Sequence, residues 1–480
     1  MARKIASALL MALLSLIIRC TITITWFNQR EKVLAPDSYG YERLAINLIE
    51  HRVFSQSSMP PFTLDTHRTP IYPLFIASVY SATDRNPIAV ILAQNFIDAL
   101  NTTFIYAIAS SASNQAGIIA SLAYAIAPLP IFQCQRMLTE TLFVFFILAA
   151  TLSGLKAITH HRSLAIMTCG LMLGLATLTR PVGIGIWFIW FIALAIAMRR
   201  LTLSQWLLAM VKFAVSSLLP IVPWLIRNFI AFKMLFLCTG HHIAFAYYNA
   251  ASVLSRATGL SLEQAQVRLF NESISDFDGM RPFKAEDAED IWQPAIQDPR
   301  NTMALMRRAK EIVRQHPTET VLVHAEGFMH YLFMTIPIRD VLAKFSGVEG
   351  KVFDEPIRER LMRLLNDGKV GTAISLAWNE RLKPLPLGAK LLWFYSLIFT
   401  LLIEGIALGT IKVYIVRRDI ARTICLICIA ISLYLLLTPG PQLEPRFRAV
   451  AEPWLIMLAS IGITGVIERR GKVAIQQSAP

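Results

Sequence analysis

Apolar runs of about 20 residues recur along this chain, and that is the length a ~30 Å hydrocarbon layer requires of a spanning helix. They lie at about 5–27, 87–110, 115–133, 138–155, 163–180, 183–198, 205–231, 388–415, 423–438 and 450–467. No soluble core needs so much apolar surface: hydrophobic residues make up 55% of the 480 positions and charged ones only 16%. The expected fold is an all-α polytopic membrane protein with about ten transmembrane helices.

A net charge of +14 raises the question of a nucleic-acid partner, but the charge is spread in short clusters between apolar runs. Arg3 and Lys4 precede the first run, and Lys156, His160, His161 and Arg162 separate two others. Arg199 with Arg200, then Arg417, Arg418 and Arg422, then Arg469, Arg470 and Lys472 follow later runs. Placing all of these in the cytoplasm orients the chain with both ends inside and leaves no nucleic-acid surface. The uncharged connection around 111–115 takes its side from the helix count alone. The N-terminal run continues into TITITWF without a small-x-small cleavage pattern and reads as an uncleaved anchor. Arg19, within it, either snorkels to the outer interface or faces the bundle. Cys425 and Cys428 form a CxxC inside an apolar run with no second ligand pair, which reads as two small buried residues.

This orientation puts two long segments outside. In 28–86, DSYGYERLAINLIEHR is amphipathic, with Ala45, Leu48 and Ile49 on one face, and PIYPLFIASVYSA is apolar but short, so two interfacial helices are expected. The second segment, 232–386, is polar, with helical patterns at 260–272, 300–315 and 355–379. Its TVLVHAEGFMHYLFMTIP stretch is interrupted by His324, Glu326 and His330 and reads as an interfacial or groove-lining helix. The expected organisation is an N-terminal transmembrane module over 1–231, a mainly helical extracytoplasmic segment over 232–386, and C-terminal transmembrane helices with a tail over 387–480.

Charged residues gather at the outer boundary: Asp37 in APDSYGY, Asp65, His67 and Arg68 in DTHRTPIYPLF, Arg136 and Glu140 in QRMLTETLF. LTRPVG with Arg180, PWLIRNF with Arg227, and PRFRAVAEPWL with Arg446 and Arg448 follow. Asp37 has two readings from the residues alone: a helix N-cap before an amphipathic run, or a carboxylate that accepts a proton from a weak nucleophile. Glu140 reads as a helix-start acid stabilised by the macrodipole or as a functional acid, with Arg136 four residues before it as a possible partner. Arg446 and Arg448 break the positive-inside rule and either anchor headgroups or contact an anionic ligand.

In order and topology these motifs resemble the GT-C class of polytopic glycosyltransferases. The branch is the bacterial one similar to protein O-mannosyltransferases and to the lipid A aminoarabinose transferase. The resemblance covers about 1–235 and 388–468. It implies transfer of a sugar from a polyprenyl-phosphate donor to a hydroxyl acceptor (lipid, glycan or protein) on the outer side of a bacterial cytoplasmic membrane. It makes Asp37 the base and Glu140 a second catalytic acid. Arg68 would hold the donor phosphate, as its planar fork suits phosphate oxygens; Arg446, Arg448 and Arg227 would join it, with Asp65, His67 and Arg136 in support. No obligatory cofactor is expected; Asp37 and Glu140 are the pair that would share a divalent ion, and two acids alone make a poor site. Two other classes stay open: a transporter or flippase of lipid-linked saccharides, which would want two related halves, and a non-catalytic assembly factor, which would tolerate neutralised external acids; within the transferase class the alternative is an O-antigen ligase or polymerase, which uses a diphosphate-linked donor.

Overall fold

The computed structural model describes residues 2–274, 298–332, 369–379, 383, 386–414, 419–442 and 444–477. Among these residues the elements are helices, as expected of the fold class. Six are long and apolar enough to cross a membrane: Ala2–Trp26, Pro87–Ser110, Glu140–His160, Leu203–Phe232, Leu387–Tyr414 and Ile420–Leu437. A seventh span results if Asn114–Ile126 and Pro128–Cys134, bent by 55°, are counted as one. Pro128 explains the bend: it offers no N–H to continue the helix, and Ala127 before it takes an extended ψ of 119°. Two further expected spans are shorter apolar helices, Ser163–Thr179 and Gly183–Ala197. The last, Glu452–Gln477, carries Glu452 in its first turn. Large apolar side chains such as Leu13, Phe188, Leu219 and Leu402 are exposed on these helices, the surface a multi-pass membrane protein offers to lipid.

Close packing of the bundle depends on small residues. Gly170 and Gly174, spaced as in a GxxxG pair, meet the long helix Leu203–Phe232, where a Cβ on Gly174 would lie 2.2 Å from the Ser217 carbonyl oxygen. Arg19 faces the bundle. It is fully buried and pairs with Asp98, which also accepts from Tyr124 Oη at 2.7 Å and Asn101 Nδ2 at 2.9 Å. The Arg19 guanidinium donates to the Ala125 carbonyl at 3.1 Å as well, tying together the first helix, Pro87–Ser110 and Asn114–Ile126.

The first external segment folds as Pro36–His51 and Ile71–Tyr80, within a residue or two of the sequence patterns. Their buried residues, Ala45, Tyr72, Ile76 and Tyr80, share a core with Val90, Ile91, Met137 and Leu142, so both helices rest on the ends of the bundle. In the second segment Leu262–Ile274 and Pro299–Gln315 are helical as expected. The expected helix at 355–379 lies outside the described residues up to 368, and Val370–Ala377 is helical. Leu262–Ile274 and Pro299–Gln315 pack on Gly240–Ala244, a π-helical turn Phe245–Ala250 and Ala251–Thr258 through a core of their own that includes Ile243, Leu254, Phe270 and Ile312. Pro317–Leu332 packs closely on the turn before Pro445–Ala449, where a Cβ on Gly327 would lie 2.2 Å from the Gly440 carbonyl oxygen.

Candidate active site

Helix Pro36–His51 begins with Pro36, whose fixed φ suits a first helical position. The capping that the Pro-Asp-Ser pattern suggested falls to Ser38, whose Oγ accepts from the Ala35 N–H at 2.9 Å and donates to the Met137 carbonyl at 2.9 Å. Asp37 is thereby spared for another role. Its Oδ1 accepts from Arg68 Nη2 at 2.7 Å, and its Oδ2 accepts from Arg446 Nη1. Burial would raise this carboxyl, but Arg68 and Arg446 outweigh it and hold the group well below the usual carboxylate range.

Arg68 is aimed by its loop. Asp65 Oδ1 accepts from the backbone N–H groups of His67 and Arg68 at 3.0 and 2.9 Å, and Gln56 Nε2 donates to Asp65 Oδ2. The Arg68 guanidinium then lies 4.4 Å from the Tyr41 ring centroid and donates to Tyr41 Oη at 3.1 Å. Its Nε, buried, has no hydrogen-bond acceptor among the described residues. His67 is neutral: burial, with help from Arg68, pushes its imidazole down to about 3.

Arg446 reaches the same place from the other end of the chain. It stands in the first turn of Pro445–Ala449, and its Nε lies 2.6 Å from Glu444 Oε2. Burial raises the Glu444 carboxyl, Arg446 works against that, and Asp37 and Glu140 add to the rise. The ring of Phe447 lies 5.0 Å from the Arg446 guanidinium and 5.3 Å from that of Arg180. Arg180 in turn pairs with Glu140 and donates to Thr139 Oγ1 at 2.9 Å. Glu140 is almost fully buried, and its Oε2 has no hydrogen-bond donor among the described residues. Two acid–arginine centres, Asp37 with Arg68 and Arg446, and Glu140 with Arg180, thus flank one phenylalanine ring.

Three sequence assignments need correction. Arg448 is fully buried and turned inward: it lies 2.9 Å from Glu404 Oε1 and 3.1 Å from Glu452 Oε2, away from the Asp37 cluster. Residues two apart on a helix point to different faces, so Arg446 and Arg448 cannot both meet one ligand. Arg227 sits behind the Arg68 loop, donating to the Asp65 carbonyl at 3.0 Å and to Asn228 Oδ1 at 2.8 Å, with the Trp224 ring centroid 4.9 Å away. It supports the loop and does not join the cluster. Arg136 is not the partner of Glu140, which Arg180 holds; it lies where it lowers the Glu444 carboxyl. Tyr41, Glu444 and Phe447 were given no role by the sequence motifs, although each adjoins or lies inside one (PDSYGY, EPRFR). Among the described residues no group of three or more His, Cys, Asp or Glu is placed to hold a metal ion.

Comparison with known proteins matches residues 67–226 to the family described as Dolichyl-phosphate-mannose-protein mannosyltransferase. No curated protein matches the chain. Among solved structures, the archaeal oligosaccharyltransferase AglB from Archaeoglobus fulgidus, in complex with an inhibitory peptide and a dolichol-phosphate, is similar over 99% of this chain and 52% of its own, with a TM-score of 0.52 and 13% identity. An apo form of an oligosaccharyltransferase from that organism gives a TM-score of 0.50 at 14% identity, with the same coverage. ArnT from Cupriavidus metallidurans bound to undecaprenyl phosphate is matched over 100% of this chain and 80% of its own at 15% identity, with a TM-score of 0.39, so the fold comparison rests on the first two. This chain spans about half the length of those oligosaccharyltransferases. The family model covers one third of the chain, and the likeness to the two oligosaccharyltransferases is one of fold.

Proposed function

We propose that this protein is a GT-C glycosyltransferase that moves a sugar from a polyprenyl-phosphate donor to a hydroxyl acceptor on the extracytoplasmic side of a bacterial cytoplasmic membrane. About ten spans, with both termini in the cytoplasm, would place the Asp37 cluster on that side. The observation that carries the reading is Asp37 bridging Arg68 and Arg446, 409 positions apart from it in the case of Arg446, at one end of an apolar bundle. Carboxylate and paired guanidinium groups are what such a transfer needs. The family description, with its dolichyl-phosphate-mannose donor, supports a lipid monophosphate as leaving group.

In the proposed step the acceptor oxygen attacks the anomeric carbon and its proton passes to the Asp37 carboxylate. The bond from that carbon to the phosphate oxygen breaks with its electron pair, leaving polyprenyl phosphate. Arg68 and Arg446 hold the charge that grows on the leaving oxygen, which is electrostatic stabilisation by preorganised donors. Glu140 Oε2, with no protein donor among the described residues, accepts a hydrogen bond from the acceptor and orients it. Asp65 and Arg227 act at one remove by fixing the loop that aims Arg68.

The test is turnover of polyprenyl-phosphate sugars by the purified protein in lipid, with mixed envelope glycolipids as acceptor. Wild type should release free polyprenyl phosphate. Asp37→Asn should lower the rate roughly 10²- to 10⁴-fold, the usual contribution of a positioned base. Release by wild type, Asp37→Asn and Arg68→Ala alike would discard the residue roles, and no release with any donor would discard the reaction.

A further inference from the structure

The arginines assigned to the donor phosphate are already occupied, and by the residue assigned as the base. Asp37 takes Arg68 Nη2 on one oxygen and Arg446 Nη1 on the other. A carboxylate held between two guanidinium groups is a weak proton acceptor, because protonation would forfeit both ion pairs. Arg68 Nη1 serves Tyr41 Oη, and Arg446 Nε lies 2.6 Å from Glu444 Oε2. Arg68 Nε and Arg446 Nε are both buried without a hydrogen bond among the described residues, which leaves a donor on each arginine for an incoming oxygen.

We propose that the donor phosphate displaces Asp37 from both arginines, so that the base is released only when the donor is seated. This inference rests on the function proposed above and concerns the order of events at that same site. The donor phosphate is a diester whose two non-bridging oxygens share one negative charge, and the arginine fork suits phosphate oxygens. The diester can take Arg68 through Nε and Nη2 together while also engaging Arg446. Asp37 then has neither guanidinium bonded to it and lies beside Glu444 and the bound anion, so its negative charge is held less well. Its affinity for a proton rises at the moment the acceptor needs it. The other charged groups near this point are Glu140 with its own Arg180, Arg136 beside Glu444, the neutral His67, and Tyr248, whose hydroxyl burial raises to about 12. Arg180 is paired with Glu140 and Arg136 acts on the Glu444 carboxyl, whereas Arg68 and Arg446 are the cations that act on Asp37.

A consequence separates this idea from a plain base assignment: in the free protein Asp37 competes with the donor, so removing its charge should strengthen phosphate binding. The probe is a short-chain polyprenyl methyl phosphate, a diester with the donor's single charge, titrated against the purified protein in nanodiscs. The corresponding polyprenol serves as the control for the lipid tail. Asp37→Asn should bind the phosphate roughly tenfold more tightly than wild type, a difference of about 1.4 kcal/mol. The polyprenol should bind both proteins equally. Glu444→Gln, which removes a carboxylate from Arg446 but none shared by the two arginines, should tighten binding by a clearly smaller factor. Asp37→Ala, checked with Asp37→Asn for a single cooperative unfolding transition, repeats the measurement with a different side chain. Equal or weaker phosphate binding by both Asp37 variants overturns the inference. Equal tightening in Glu444→Gln overturns it too, since general charge removal would then suffice. Wild type that binds the phosphate no better than the polyprenol overturns the proposed function itself, and with it this inference.

Discussion

Replacing Arg448 by Met tests whether this residue holds the fold or a ligand. Its guanidinium is fully buried between Glu404 at 2.9 Å and Glu452 at 3.1 Å, and it also donates to the Tyr331 carbonyl at 3.4 Å. Methionine would leave two carboxylates facing each other inside the bundle with no cation between them. Removing one partner of a buried ion pair typically costs about 3–5 kcal/mol, so the folded-to-unfolded ratio should fall by roughly 10²- to 10³-fold. Adding Glu404→Gln and Glu452→Gln removes the stranded charges, and this triple variant should recover most of the loss, because a buried ionic network exchanged for neutral groups is often close to neutral. Denaturant unfolding of the purified proteins in one detergent reads both effects. An Arg448→Met variant as stable as wild type would refute the burial argument. A triple variant that regains stability but loses polyprenyl-phosphate binding would refute the exclusion of Arg448 from the ligand site.

Two further outcomes follow from the site. Asp65→Ala removes the acceptor of the His67 and Arg68 N–H groups, and leaving buried donors unsatisfied costs about 1–3 kcal/mol; polyprenyl-phosphate binding should weaken about tenfold or more, read in the same titration, while Asp65→Asn should retain part of it. Asp37 also sets a pH signature. Because its folded carboxyl lies below its unfolded value of about 3.9, its contribution to stability is fully present above that pH and is lost as pH falls through the folded value. The stability difference between wild type and Asp37→Asn should stay constant from about pH 8 to about pH 5 and close only below the unfolded value; a difference that closes near neutral pH would contradict the double ion pair.

Much of the architecture was readable because it is local. Apolar runs mark Pro87–Ser110 and Leu203–Phe232 to within about two residues, since a helix in lipid needs length and apolarity before it needs any particular neighbour. The amphipathic pattern after Asp37 and the apolar decapeptide at Ile71–Tyr80 announced themselves in the same way. Asp37, Arg68, Glu140 and Arg446 were also legible, as charges at run boundaries. Arg19 shows where legibility stops: its run says only that a cation lies in an apolar helix, and its partner Asp98 belongs to a different helix 79 positions away.

Pairing is what tertiary structure decided. Arg446 and Arg448 share one pentapeptide and one charge, yet the first meets Asp37 and the second is enclosed by Glu404 and Glu452. Which face of Pro445–Ala449 is inward depends on the turn seated under Gly327, a contact no sequence pattern encodes. Likewise Glu140 takes Arg180 rather than Arg136, and Arg227 serves the loop that presents Arg68. Hydrophobic period and charge placement act over a few residues, so the chain alone specifies helices and their boundary charges. Ion pairs form over a few ångströms between elements tens or hundreds of residues apart, so only the packed bundle decides which charge answers which.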